Sequence, residues 1–180
     1  MLASLASMIP DPLHPAIVHL PMALAVLAPL FAVGAVIVAR RSMVPRKIWS
    51  VAVAVLLALS ASAWASSETG EDQENRVERV VPKAALDGHE DAADNFLWLS
   101  VGVLVVASAG LLPGRIAAPA RLVATAGSVL LLVAGYRVGH TGGELVYTHG
   151  AASAYVKTAG SGAGVVGPAP LTSQRRDDDD

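Results

Sequence analysis

Four apolar runs dominate the chain, at about 16–39, 48–65, 96–112 and 120–138. Each is Ala, Val and Leu nearly all round, without the charged stripe that a water-facing helix carries at its 3.6-residue period. A bilayer core of about 30 Å takes about 20 residues at about 1.5 Å rise each. Runs of 17 to 19 residues therefore borrow end turns from their polar flanks, and the third helix, counted with its polar first turn, covers 92–112. The pattern predicts an all-α integral membrane four-helix bundle occupying 1–150. The Gly/Ser/Pro-rich remainder, 151–180, ends in four aspartates and is expected to be a disordered tail.

The polar intervals set an orientation. The loop between runs one and two holds Arg40, Arg41, Arg46 and Lys47, and that between three and four holds Arg115 and Arg121. Lys and Arg in short loops mark the cytoplasmic side, which predicts both termini outside, in the periplasm of a bacterium. The segment 66–91 between runs two and three is strongly acidic and is expected to be external. The stretch 43–65 resembles a signal peptide, with Arg46-Lys47 ahead of an apolar core and Ala63-Trp64-Ala65 at its end. Cleavage there would discard the first run, so a spanning helix is the preferred reading.

Local signals place chemistry at the external end. Pro15 suits a first helical position, which puts His14 at the mouth of helix one and His19 about one turn inside. Thr69 with Asp72 reads as a cap for a short polar helix at about 70–81, stopped by Pro82 and carrying Glu71, Glu74 and Glu78 on one face. Asp87 with Glu90 reads as a cap opening helix three, with His89 in its first turn. Helix four is expected to end near His140, Gly142 and Gly143, with 144–147 extended or interfacial and Glu144 and His149 ordering the loop. All five histidines (His14, His19, His89, His140 and His149) then lie at one end.

Composition narrows the classes. Hydrophobic residues make up 53%, mean hydropathy is +0.52 and charged residues are 16%, against about 25% in soluble domains. With no cysteine, disulfides, thiolate metal sites, thiol nucleophiles and C-x-x-C-H haem attachment are all excluded. No basic stripe interleaved with aromatics is present, which argues against nucleic-acid binding.

The opening His14-Pro15-Ala16-Ile17-Val18-His19-Leu20-Pro21 resembles the H-P-x-x-V-H-F-P start of the bacterial membrane family known as domain of unknown function 2231. Gly142-Gly143-Glu144-Leu145-Val146-Tyr147-Thr148-His149-Gly150 resembles its closing G-G-x-L-V-Y-x-H-G. Thr69-Gly70-Glu71 and His89-Glu90 are similar to elements of some members. Leu20 stands where the family more often has Phe, which keeps the position apolar. The resemblance implies a four-helix integral membrane domain and no particular activity.

Three functional readings follow from the residues. A b-type haem needs two histidines on different helices, for which His19 and His89 are the expected axial pair, with His14 and His140 as alternates. A transition-metal ion suits imidazole and carboxylate together, from His14, His19, His89, Glu71, Glu74 and Glu90. Either would serve redox chemistry or metal handling with a membrane or periplasmic redox partner, in an inner-membrane, multi-pass protein. The third reading is a structural or partner-binding subunit, with no cofactor, whose histidines pair with carbonyls and acids. His19 resists it, because a polar group inside an apolar helix needs a partner. Transport and hydrolysis are weaker: mid-span ionisable residues and G-x-S-x-G are both missing.

Overall fold

The computed structural model describes residues 12–156. Four helices, each long and apolar enough to cross a membrane, run as α1 (His14–Ala39), α2 (Pro45–Val77), α3 (Lys83–Ala109) and α4 (Ala117–Tyr147). A 3-10 turn, Ala151–Tyr155, follows. There is no strand among the described residues. Helix α1 is interrupted at Val18, between His14–Ile17 and His19–Ala39. Pro21 is the physical reason, since it has no N–H to offer the Ile17 carbonyl four residues back.

Each helix packs on its chain neighbours and α4 closes the ring against α1, giving an up-down-up-down bundle. Because every run is apolar all round, packing against neighbouring helices and not polarity decides which face turns inward, and on α1 that face is made of small residues. Ala25, Ala28, Ala32, Ala35 and Ala39 form the buried stripe of α1, at alternating spacings of three and four. Trp49, Ala52, Leu56, Leu59 and Ala63 do the same on α2, and Phe96, Ser100, Val103 and Ala107 on α3. Larger side chains such as Leu30, Val105 and Val133 lie outward, at 65%, 65% and 63% exposure. Between membrane helices lipid is as apolar as leucine, so close approach over small residues is what holds them together.

The helices run further than their apolar cores. Helix α2 has 33 residues, about 50 Å at about 1.5 Å each, and continues unbroken through the acidic segment to Val77. The separate helix expected at 70–81 is thus the outer end of α2. Thr69 does not cap it: its hydroxyl donates back to the Ala65 and Ser66 carbonyls, both at 3.0 Å. Helix α3 starts at Lys83, directly after Pro82, so Asp87 is an interior residue, 3.5 Å from the Lys83 ammonium. Helix α4 passes through Gly142 and Gly143 to Tyr147, and 144–147 is helical. The predicted tail is a 3-10 turn over Ala151–Tyr155, and beyond 156 it lies outside the described residues.

Two apolar clusters result. The larger fills the bundle, from Trp49 and Ala107 at one end to Phe96 and Ala63 towards the other. A smaller one joins Val81, Leu86, Leu145 and Ala151 beyond the apolar spans, where the 3-10 turn packs on α2 and α4.

Candidate functional site

Between those two clusters lies a polar layer built by one residue pattern used twice. On α1, His14 Nδ1 is 2.9 Å from the Ser66 carbonyl and 3.4 Å from Thr69 Oγ1 of α2. On α3, His89 Nδ1 is 3.0 Å from Thr141 Oγ1 of α4, and the Val138 main chain, one turn back, acts on the ring electrostatically. In both cases the main-chain group belongs to the residue three before the threonine. Both threonine hydroxyls donate to carbonyls of their own helix, Thr141 to Arg137 and Val138 at 3.2 and 3.1 Å.

A glycine follows each threonine and makes the room. A Cβ on Gly70 would meet His14 Cε1 at 3.2 Å, and one on Gly142 would meet His89 Cε1 at 3.1 Å. Each ring therefore lies edge-on over a glycine of the next helix. Hairpins α1–α2 and α3–α4 carry the same joint.

The bonding fixes the tautomer. The Ser66 carbonyl only accepts, and the Thr141 hydroxyl gives its proton to its own helix, so Nδ1 of each ring carries the proton and Nε2 keeps its lone pair. Both residues lie in the polar cap, outside the apolar stretches. Burial holds both imidazoles below the usual histidine range, and His14 adds charge repulsion at His89, while the neighbouring main chain pulls the other way.

The layer also holds oxygens without partners. Ser66 Oγ and Gln73 Oε1 are buried and unbonded among the described residues, as is Ser60 Oγ deeper in the bundle. Gln73 escaped the sequence reading because a glutamine in an acidic stretch looks solvated. Its spacing from Ser66 and Thr69 was the available signal.

The other expected site residues lie apart. His19 is exposed, with no hydrogen bond or ion pair among the described residues, so the burial expected of it is not found. His140 stacks on Tyr136 at 6.0 Å and reaches Glu144 at 3.6 Å, on the exposed outer face of α4. Glu71 and Glu90 are exposed and Glu74 is half-buried. Partial burial, with Glu74 and Asp87 beside it, raises the Glu90 carboxyl above its ordinary range, and Lys83 opposes this. The Glu144 main-chain carbonyl accepts from Thr148 and His149 at 2.9 and 3.0 Å, which closes the end of α4. Among the described residues no three or more His, Cys, Asp or Glu converge as a metal cluster.

The opposite end is finished differently. Trp49 is fully buried and its Nε1–H donates to the Ala107 carbonyl at 2.8 Å. Arg121 lies over the Trp49 ring at 6.0 Å and its Nε–H donates to the Gly110 carbonyl at 2.9 Å. Arg46 Nε–H donates to Leu111 at 2.7 Å. Three carbonyls at and just past the end of α3 are thereby satisfied, two by cations that suit the negative end of its dipole.

Fold and polar layer together define a multi-pass membrane bundle with a paired-imidazole end. The chain belongs to the family described as predicted membrane proteins (DUF2231), whose model matches residues 10–155. No curated protein and no solved structure matches it.

Proposed function

We propose that this protein binds a transition-metal ion through Nε2 of His14 and His89, at the periplasmic face of the bacterial inner membrane, in the service of redox chemistry or metal handling. The observation that carries this reading is the paired anchoring of Nδ1. Metal-bound histidines commonly donate the other ring N–H to a carbonyl or carboxylate, which orients the ring and raises its basicity. Here both rings are held that way before any ion arrives. The pair His14/His89 takes the role that sequence alone gave to His19/His89, because His19 is exposed. The periplasmic placement rests on Arg40, Arg41, Arg46 and Lys47 at the opposite end.

A b-type haem is the second reading, favoured by the position of the two rings on diagonally opposite helices. The surroundings fit a macrocycle less well: Gly70, Gly142, Thr69, Thr141, Ser66 and Gln73 are small or polar, whereas haem packs against flat apolar walls.

Oxidised and dithionite-reduced spectra of detergent-purified protein, with metal analysis of the same sample, test both. One metal per chain, lost in His14→Ala and in His89→Ala, is expected. A Soret band lost in the same variants would select haem. Neither signal, in protein reconstituted with metal and haem, would leave a membrane subunit without a cofactor and overturn the proposal.

A further inference from the structure

We propose that the groove between α3 and α4 holds one acyl chain of an anionic phospholipid, whose phosphate is taken by Arg46 and Arg115 at the turn joining these helices. The groove is lined by Trp98, Gly102, Val103, Val106, Val123 and Gly127, all of them apolar. Its volume, about 320 Å³, lies at the low end for ligand clefts, which suits one slender chain. Two glycines shape it. A Cβ on Gly127 would meet Val103 Cγ2 at 2.7 Å, so α3 and α4 touch there, whereas a Cβ on Gly102 would meet nothing within 4 Å. Trp98, 71% exposed, stands on the wall one turn before Gly102.

The turn that joins the two walls, 110–116, gathers cations. Arg46 reaches it from α2, with Nε–H on the Leu111 carbonyl at 2.7 Å, and Arg121 reaches it from α4, with Nε–H on the Gly110 carbonyl. Arg115 belongs to the turn itself, and both it and Arg46 are exposed. A guanidinium has five N–H donors, so one bond to a carbonyl leaves four for an anion. No acid occurs between residues 12 and 67 or between 95 and 143, and neither Arg46 nor Arg115 has an ion-pair partner among the described residues. Helix α4 begins just after the turn with no side-chain cap and no acid in its first turn, so the positive end of its dipole is also unanswered. Exposed Leu112 and Ile116 bracket Arg115, which sets this cation where apolar and aqueous surroundings meet, the depth of a lipid phosphate. A free phosphate would leave the groove unfilled, and a zwitterionic lipid would bring its own cation to the guanidinium groups. An anionic phospholipid answers both the charge and the groove.

Trp98 is the reporter. In full-length protein carrying Trp64→Phe, the remaining indole besides Trp98 is the fully buried Trp49. The protein is reconstituted in phosphatidylcholine vesicles with a minor share of brominated phosphatidylglycerol or of brominated phosphatidylcholine, and quenching of Trp98 is compared. The anionic lipid should be preferred at least about fivefold, the effect of one cation near a bilayer surface. Arg115→Gln should lower that preference about fivefold. Gly102→Leu, which fills the groove where a Cβ meets nothing, should bring it close to unity in protein that still folds. Arg40→Gln/Arg41→Gln, on the other loop, should change it little, and an excess of soluble glycerol phosphate should not displace the lipid. Equal quenching by the two lipids overturns the proposal, as does a preference that neither Arg115→Gln nor Gly102→Leu moves. A loss in Arg40→Gln/Arg41→Gln matching that in Arg115→Gln would show diffuse attraction without a site, and displacement by glycerol phosphate would show a free-phosphate site. Trp98 shielded from both lipids would show a second copy of the chain in the groove. Each of these three also overturns it.

Discussion

The two ends of the bundle treat polar atoms in opposite ways. At the tryptophan end, the carbonyls of Ala107, Gly110 and Leu111 are each met by an indole or guanidinium N–H. At the histidine end, Nδ1 of each ring is satisfied but Ser66 Oγ and Gln73 Oε1 have no partner among the described residues. Stability is served by completing every hydrogen bond, and a binding site by leaving some open. On the proposed reading the contrast divides structural work at one end from ligand work at the other, and that division can be broken in graded steps.

The largest effect should come from Trp49→Ala. Emptying a fully buried indole site costs about 3–5 kcal/mol, read as a fall in thermal stability in detergent. Metal content of the folded fraction should be unchanged, and a matching loss of metal would erase the division between ends. Gly110→Ala comes next, because its Cβ would sit 2.5 Å from Trp49 Nε1 and 2.9 Å from the Ala107 carbonyl oxygen. Overpacking of this kind costs about 1–3 kcal/mol on the same measurement.

His14→Ala and His89→Ala should each cost about 1–2 kcal/mol, the value of a broken side-chain bond with its acceptors left behind. Because the two joints match, the two costs should be alike, and a strongly unequal pair of melting curves would show that the hairpins are not equivalent. The smallest effect is in pH. Folding holds both rings below the ordinary value of about 6.5, so the unfolded chain binds more protons in the interval beneath it. Stability is therefore full above about pH 6.5 and falls as pH drops towards the depressed folded values. The double variant His14→Gln/His89→Gln should flatten that slope while leaving the tryptophan end untouched.

Much of this architecture was legible in the chain. The four spans were, because lipid demands apolar residues on every side of a helix and the runs show it. Their outer ends were not. Once α2 leaves the apolar zone its residues read as an acidic loop, and Thr69 with Asp72 imitates a helix start, although the Thr69 hydroxyl serves the carbonyls behind it. His19 looked the better ligand and His14 an alternate, yet five positions at about 100° each put them on different sides of α1, and only one can face inward. The repeated dipeptides Thr69-Gly70 and Thr141-Gly142 were in plain view, one in the loose middle of the resemblance and one at its closing motif. What they do depends on a histidine 55 or 52 residues earlier, a relation only packing reveals.

Trp49 has one more consequence. With its indole wedged between α2 and α3 and Arg121 lying over it, Trp49 plugs that end of the bundle. On the proposed reading, an ion at the imidazoles would come and go at the other end, outside the apolar spans, and cross almost none of the transmembrane field on the way. Such traffic would be an exchange with one compartment, indifferent to membrane voltage, and not a passage between two.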